Sequence, residues 1–132
     1  MREITGINHV GLRVSDLDQT RAFYEKLGFE FLVGPIGPEP VAIMEHPSGV
    51  NINFILNANV DNSLNGNILM DVAEKLPGYT HFALNVTDLD AVVTQLGEAG
   101  IALSGRLDFG DAQAVFVRDP DLNVIEFHQP KN

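Results

Sequence analysis

The 132-residue chain has no cysteine and no tryptophan, and only 8% of its residues are aromatic. Without thiols there can be no disulfide and no thiolate metal site, so any metal ion must be held by imidazole, carboxylate or amide groups. The same lack of cysteine fits a reducing, cytoplasmic location. Basic residues are few, eight Lys and Arg against 18 Asp and Glu, and the formal net charge is −10. A chain so acidic repels phosphate backbones and has no basic patch, which argues against nucleic acid and anionic membranes as partners. No apolar run reaches the roughly 18 residues of a membrane helix. The N-terminus MREITGINHV has one Arg and no apolar stretch, unlike a secretory signal.

What the chain does contain is a copy of itself. Residues 9–31, HVGLRVSDLDQTRAFYEKLGFEF, align with residues 81–103, HFALNVTDLDAVVTQLGEAGIAL, at an offset of 72, with seven of 23 positions identical. A weaker match at an offset of 73 lays HPSGVNINF (46–54) over DPDLNVIEF (119–127). Two copies are too few for a solenoid, so the repeat predicts a pseudo-symmetric pair of supersecondary units.

Each copy has the same order of signals. A strand with period-two alternation comes first, His9–Val14 and His81–Val86. The SDLD and TDLD segments then offer helix N-caps with further acid in the first turn. Amphipathic helices over about 18–27 and 90–99 stop at Gly28 and Gly100, residues suited to a left-handed C-terminal cap. Three strands follow in each copy, about 29–33, 41–46 and 50–56, then 101–106, 112–118 and 123–128. The predicted class is α+β: two tandem βαβββ modules (about 4–56 and 79–130) in a single domain over 1–132, with helices outside a curved, barrel-like mixed sheet. Residues 57–78 read as a linker that could also act as a lid over the site, with 68–76 able to form a short helix.

Alternation sorts the strand residues by face. Val10, Leu12 and Val14 oppose His9, Gly11 and Arg13. Phe82, Leu84 and Val86 oppose His81, Ala83 and Asn85. In the last strand of each module, Ile52 and Phe54 oppose Asn51 and Asn53, while Ile125 and Phe127 oppose Glu126 and His128. The apolar faces suit the helices, and the polar faces collect beside small residues as the wall of a cup. Two imidazoles at repeat-related positions plus one carboxylate, His9, His81 and Glu126, form the ligand set of a divalent ion with open positions (Fe, Mn, Zn, Ni or Co). Each taken singly is more often a hydrogen-bonded or solvated strand residue. Together, on one predicted face, they point to a metal. His46 stands where Asp119 stands in the other module and reads as structural.

The strand His followed by DLD (His9 to Asp18), FYEKLGF (Phe23 to Phe29), HFALNVTDLD (His81 to Asp90) and DPDLNVIEF (Asp119 to Phe127) together resemble the vicinal oxygen chelate superfamily. Its members include glyoxalase I, extradiol dioxygenases, methylmalonyl-CoA epimerase, and fosfomycin and bleomycin resistance proteins. The resemblance spans essentially the whole chain. It implies a cup built from paired βαβββ units, often completed by modules of two chains in a homodimer. It also implies metal positions at His9, Asn53, His81 and Glu126. Asn53 departs from the Glu of glyoxalase I and cannot be a base at neutral pH. The resemblance therefore implies a metal-dependent enzyme acting on a small molecule with adjacent oxygens, either a lyase or isomerase or a ring-cleaving dioxygenase. Glu126 and His128 would be the catalytic candidates, and Arg13, Asn53 and Asn85 the substrate-binding ones. Fosfomycin-modifying members need a cationic phosphonate pocket, for which this chain offers only Arg13, Arg106 and Arg118. The alternative is a non-catalytic drug-binding protein of the bleomycin resistance type. The low aromatic content and the intact His/His/Glu set count against it.

Overall fold

The structure, a computed structural model, describes residues 1–60 and 66–131. The chain forms two compact units, residues 1–61 and 62–132, and their boundary falls inside the expected linker. Each unit is a βαβββ module with one open four-stranded mixed sheet and one helix.

The first unit comprises β1 (Val10–Arg13), α1 (Leu17–Lys26), β2 (Glu30–Ile36), β3 (Val41–Glu45) and β4 (Asn51–Ile55), in sheet order β1-β4-β3-β2. β1 runs parallel to β4, with Gly11 beside Asn53, and the remaining pairs are antiparallel. The second unit repeats this with β5 (His81–Asn85), α2 (Leu89–Glu98), β6 (Gly105–Asp108), β7 (Ala112–Arg118) and β8 (Val124–Pro130), in order β5-β8-β7-β6. Here Ala83 lies beside Glu126 on the parallel pair, and Phe116 lies beside Glu126 on the antiparallel one.

The helix boundaries follow from side-chain chemistry. Asp16 and Asp88 are the N-caps, accepting from Gln19 N (2.9 Å) and Ala91 N (3.0 Å). In the second unit Gln129 of β8 adds a bond, its Oε1 accepting from Leu89 N at 2.6 Å. Both helices end in a Schellman motif. Phe29 N donates to Tyr24 O (3.1 Å) and Ile101 N to Leu96 O (2.9 Å), with Gly28 and Gly100 at positive φ between them.

The helices cover the predicted apolar faces. Val14, Tyr24, Phe29, Met44, Ile52 and Phe54 are buried in the first unit, with the Tyr24 ring edge-on to Phe29 at 5.7 Å. Leu89, Leu96, Val115, Val117, Ile125 and Phe127 are buried in the second. Burial of such side chains contributes about 2 kcal/mol each. It also fixes strand register, because a one-residue slip would turn each apolar face outward.

Three segments differ from the sequence reading. β2 extends to Ile36 through two register irregularities against β3. The expected strand over 101–106 begins only at Gly105, because Ile101 N–H serves the helix cap; Ser104 N makes the first bond to β7, donating to Phe116 O (2.7 Å). Residues 68–76 do not form a helix. Asn67 Oδ1 accepts from Leu69 N (2.9 Å) and Met70 N (3.2 Å), closing a single turn. Lys75 Nζ then takes the Val72 and Met70 carbonyls (2.8 and 3.4 Å) that a continuing helix would use. That turn is tied to its own unit by a bidentate ion pair between Arg118 and Asp71 (2.7 and 2.8 Å) and by Asn67 Nδ2 donating to Leu122 O (3.3 Å).

Candidate functional site

On the second unit's polar face, β5 and β8 bring three of the predicted residues into one hydrogen-bonded row. His81 Nε2 lies 3.1 Å from Glu126 Oε1, and His128 Nδ1 lies 2.8 Å from Glu126 Oε2. Glu126 is 8% exposed although it stands on the polar face. The Phe116 ring lies edge-on to the His81 imidazole at 5.8 Å, and Phe109 stacks on His128 at 6.0 Å. A buried carboxylate is costly unless it is paired, and here both of its oxygens have partners.

This pair suits an ion. Two ligand atoms each about 2.1 Å from a metal lie about 3.0 Å apart in an octahedral site and about 3.4 Å apart in a tetrahedral one, and the 3.1 Å between His81 Nε2 and Glu126 Oε1, also the length of a hydrogen bond, falls in that range. The other imidazole nitrogen is served as well, since Thr80 Oγ1 lies 2.9 Å from His81 Nδ1. A hydroxyl both donates and accepts, so Thr80 can partner Nδ1 whether Nε2 carries a proton or a metal. In the first unit Asn8 Oδ1 lies 2.7 Å from His9 Nδ1, the same arrangement one residue before the repeat-related histidine. Among the described residues no three His, Asp or Glu side chains are grouped so as to hold an ion.

The other predicted residues are placed within their own units. Asn53 is half-buried at the centre of β4, between Gly11 of β1 and Ile43 of β3. Arg13 Nε donates to Asn57 Oδ1 (2.8 Å), and Asn57 Nδ2 donates to Glu39 Oε1 (2.9 Å). Asn85 is exposed and stands beside His128. His46 is a turn residue, its Nδ1 accepting from Ser48 N at 3.0 Å.

Beside the row lies an open groove of about 260 Å³, lined by Met70, Ser104–Leu107, Phe116, Arg118 and Val124. Its two arginines differ. Arg118 is engaged by Asp71, whose carboxyl it holds down at about 2, chiefly through their hydrogen bond. Arg106 Nη2 lies 4.0 Å from Asp90 Oδ1, and its charge also acts on Asp108. Sequence reasoning passed over Thr80, Phe109, Phe116 and Asp71. Of these, Thr80 carried a signal, because a polar residue precedes the repeated His in both copies.

Comparison with known proteins agrees with this architecture. Residues 6–127 match the model of the Glyoxalase/Bleomycin resistance protein/Dioxygenase superfamily. The metallothiol transferase FosB of Shouchella clausii is 29% identical over 133 residues, covering 95% of this chain and 80% of that protein. A glyoxylase/bleomycin resistance protein/dioxygenase domain from Frankia sp. EAN1pec superposes with a TM-score of 0.77 at 24% identity, covering 98% and 95% of the two chains. A variant of the fosfomycin resistance protein FosX from Listeria monocytogenes, in complex with Mn(II) and 1S,2S-dihydroxypropylphosphonic acid, superposes at 0.72 with 17% identity, covering 97% and 94%. At such identities the two structures establish likeness of fold. Among the described residues no helix is long and apolar enough to cross a membrane.

Proposed function

Because the chain belongs to the glyoxalase/bleomycin resistance protein/dioxygenase superfamily, we propose that it is a divalent-metal-dependent enzyme acting on a small molecule with two adjacent oxygens, its ion held by His9, His81 and Glu126. The observation that carries this reading is the buried Glu126 carboxylate facing His81 Nε2 at 3.1 Å, with Thr80 on the far side of the ring. When bound, the ion supplies Lewis-acid polarisation of a substrate oxygen. The chain's own residues do the rest. Phe116 walls the His81 side of the site. Asn53 and Asn85 offer amide groups to substrate oxygens, and Arg13, oriented by Asn57, offers a charge to a substrate carboxylate. Proton transfer falls to Glu126 and to His128, whose Nδ1–H is committed to Glu126 and whose Nε2 is the exchanging atom. The working unit in this reading is a cytoplasmic homodimer in which a second copy supplies His9.

The test is elemental analysis of untagged protein purified without chelators, alongside His81→Ala. About one ion per chain, absent from the variant, is expected. Full metal content in His81→Ala would remove this ligand set. Fe or Mn would direct substrate trials to catechols under air, and Zn, Ni or Co to hemithioacetals and acyl thioesters.

The FosB match favours a second reading, thiol transfer to a metal-held substrate. Of the two arginines in the groove, Arg118 is engaged by Asp71, which leaves Arg106 to meet an anionic group. Thiol-dependent consumption of fosfomycin, lost in Arg106→Gln, would establish it.

A further inference from the structure

We propose that His128 is a positioning residue that selects which oxygen of Glu126 faces the ion, and that Phe109 holds its ring for that purpose. This rests on the ligand reading of Glu126 given above.

A carboxylate offers two equivalent oxygens and can bind a metal through one or both. Here the two are made unequal. Oε2 accepts from His128 Nδ1 at 2.8 Å, and Oε1 is turned to His81 Nε2 at 3.1 Å. With the carboxylate ionised, His128 Nδ1–H is the donor of the first bond, since an ionised carboxylate only accepts. With Oε2 held by His128, Oε1 is the oxygen on the His81 side and the one that would face an ion held together with that imidazole.

The imidazole is itself held. Its residue lies between Ala114 of β7 and Asn85 of β5, and Phe109 stacks on it at an interplanar angle of 24°. Phe109 is 51% exposed, at a turn fixed by Gly110 N donating to Asp108 Oδ1 (2.8 Å) and Phe109 N donating to Ala112 O (2.8 Å). An exposed aromatic on a fixed turn, laid parallel to a half-buried imidazole, is accounted for by the ring it supports. Partners of this kind, one bond beyond the ligand, typically change metal affinity about 10- to 100-fold when removed.

The experiment is Mn(II) titration of the metal-free full chain, following free Mn(II) by its paramagnetic resonance signal. It compares wild type, His128→Leu, His128→Asn and Phe109→Ala, with thermal unfolding of each metal-free variant. His128→Leu should weaken binding about 10- to 100-fold. His128→Asn, whose amide nitrogen sits about where imidazole Nδ1 does, should recover most of that loss. Phe109→Ala should fall between wild type and His128→Leu. Wild-type affinity in folded His128→Leu, or an Asn variant no better than the Leu variant, would overturn the positioning role while leaving the ligand set standing. A wild-type chain that binds no Mn(II), Zn(II) or Co(II) would overturn both.

Discussion

His46 and Asp119 anchor the same turn in the two modules with different chemistry. The backbone bonds are alike. His46 N donates to Val50 O (2.9 Å) and Asp119 N to Asn123 O (3.0 Å), while Gly49 N returns to His46 O and Leu122 N to Asp119 O. The left-handed position of the turn is Gly49 in one module and Leu122 (φ 66°) in the other. The side chains then diverge. His46 Nδ1 accepts from Ser48 N (3.0 Å), whereas Asp119 Oδ1 accepts from Asp121 N and Asn123 N, and its Oδ2 from Asn123 Nδ2, each at 2.9 Å.

Unequal costs follow for the two anchors. Asp119 is buried, and Asp119→Ala leaves two backbone N–H groups without their acceptor, so it should lower stability by about 2–3 kcal/mol. His46 is less buried and accepts one backbone bond, and His46→Ala should cost about 1 kcal/mol. Urea unfolding of the two variants measures both. Equal losses would show that the backbone bonds, rather than the side chains, hold the turn.

The Asp71–Arg118 pair should confer a pH-dependent increment of stability. The Asp71 carboxyl is lowered to about 2, first by its hydrogen bond to Arg118 and then by Asn67 N–H. A depressed carboxyl stabilises the fold above its unfolded value, and the gain disappears as pH falls from about 4 through about 2. Its side chain is 31% exposed, so solvent screening limits the gain to about 1 kcal/mol. Wild type should exceed Asp71→Asn by that amount at neutral pH in low salt, and the two should converge in acid. A gap that persists unchanged at pH 2 would mean that the carboxylate's charge is not what holds the turn.

Gly34 should be irreplaceable for packing reasons. A Cβ there would stand 2.5 Å from Ala42 Cα and 2.6 Å from Val41 O, both backbone atoms of the neighbouring strand, and φ is already +130°. Nothing at that position can yield without shifting β3. Gly34→Ala should therefore destabilise the chain by about 3 kcal/mol or more, read as a drop in the urea midpoint. A loss below about 1 kcal/mol would place the strand farther away than described.

Much of this was legible in the sequence because it is encoded locally and twice. The Asp N-caps, the cap glycines and the alternation that turns Phe54 and Phe127 inward all recur at a fixed offset. The pairing of His81 with Glu126 was legible for the same reason, since strand order follows from the module. Residues 68–76 misled because an apolar, helix-compatible run says nothing about Asn67 and Lys75 capping it from both sides. The exposed Phe109 gave no periodic signal, because its role depends on a turn closing over the end of β8.

The place of His9 in the proposed ligand set can be tested with mixed chains. His9→Ala and Glu126→Gln should each fail to hold metal alone. If a second copy supplies His9, co-refolding equal amounts gives heterodimers with one intact site, built from the His9 of one chain and the His81 and Glu126 of the other. Random pairing makes half of the dimers mixed, so metal content should return to about one quarter of the wild-type value. No recovery, with dimers confirmed by sedimentation, would place all three ligands in a single chain. The row of Thr80, His81, Glu126 and His128 would keep its role under either result, because each of its contacts lies within one unit.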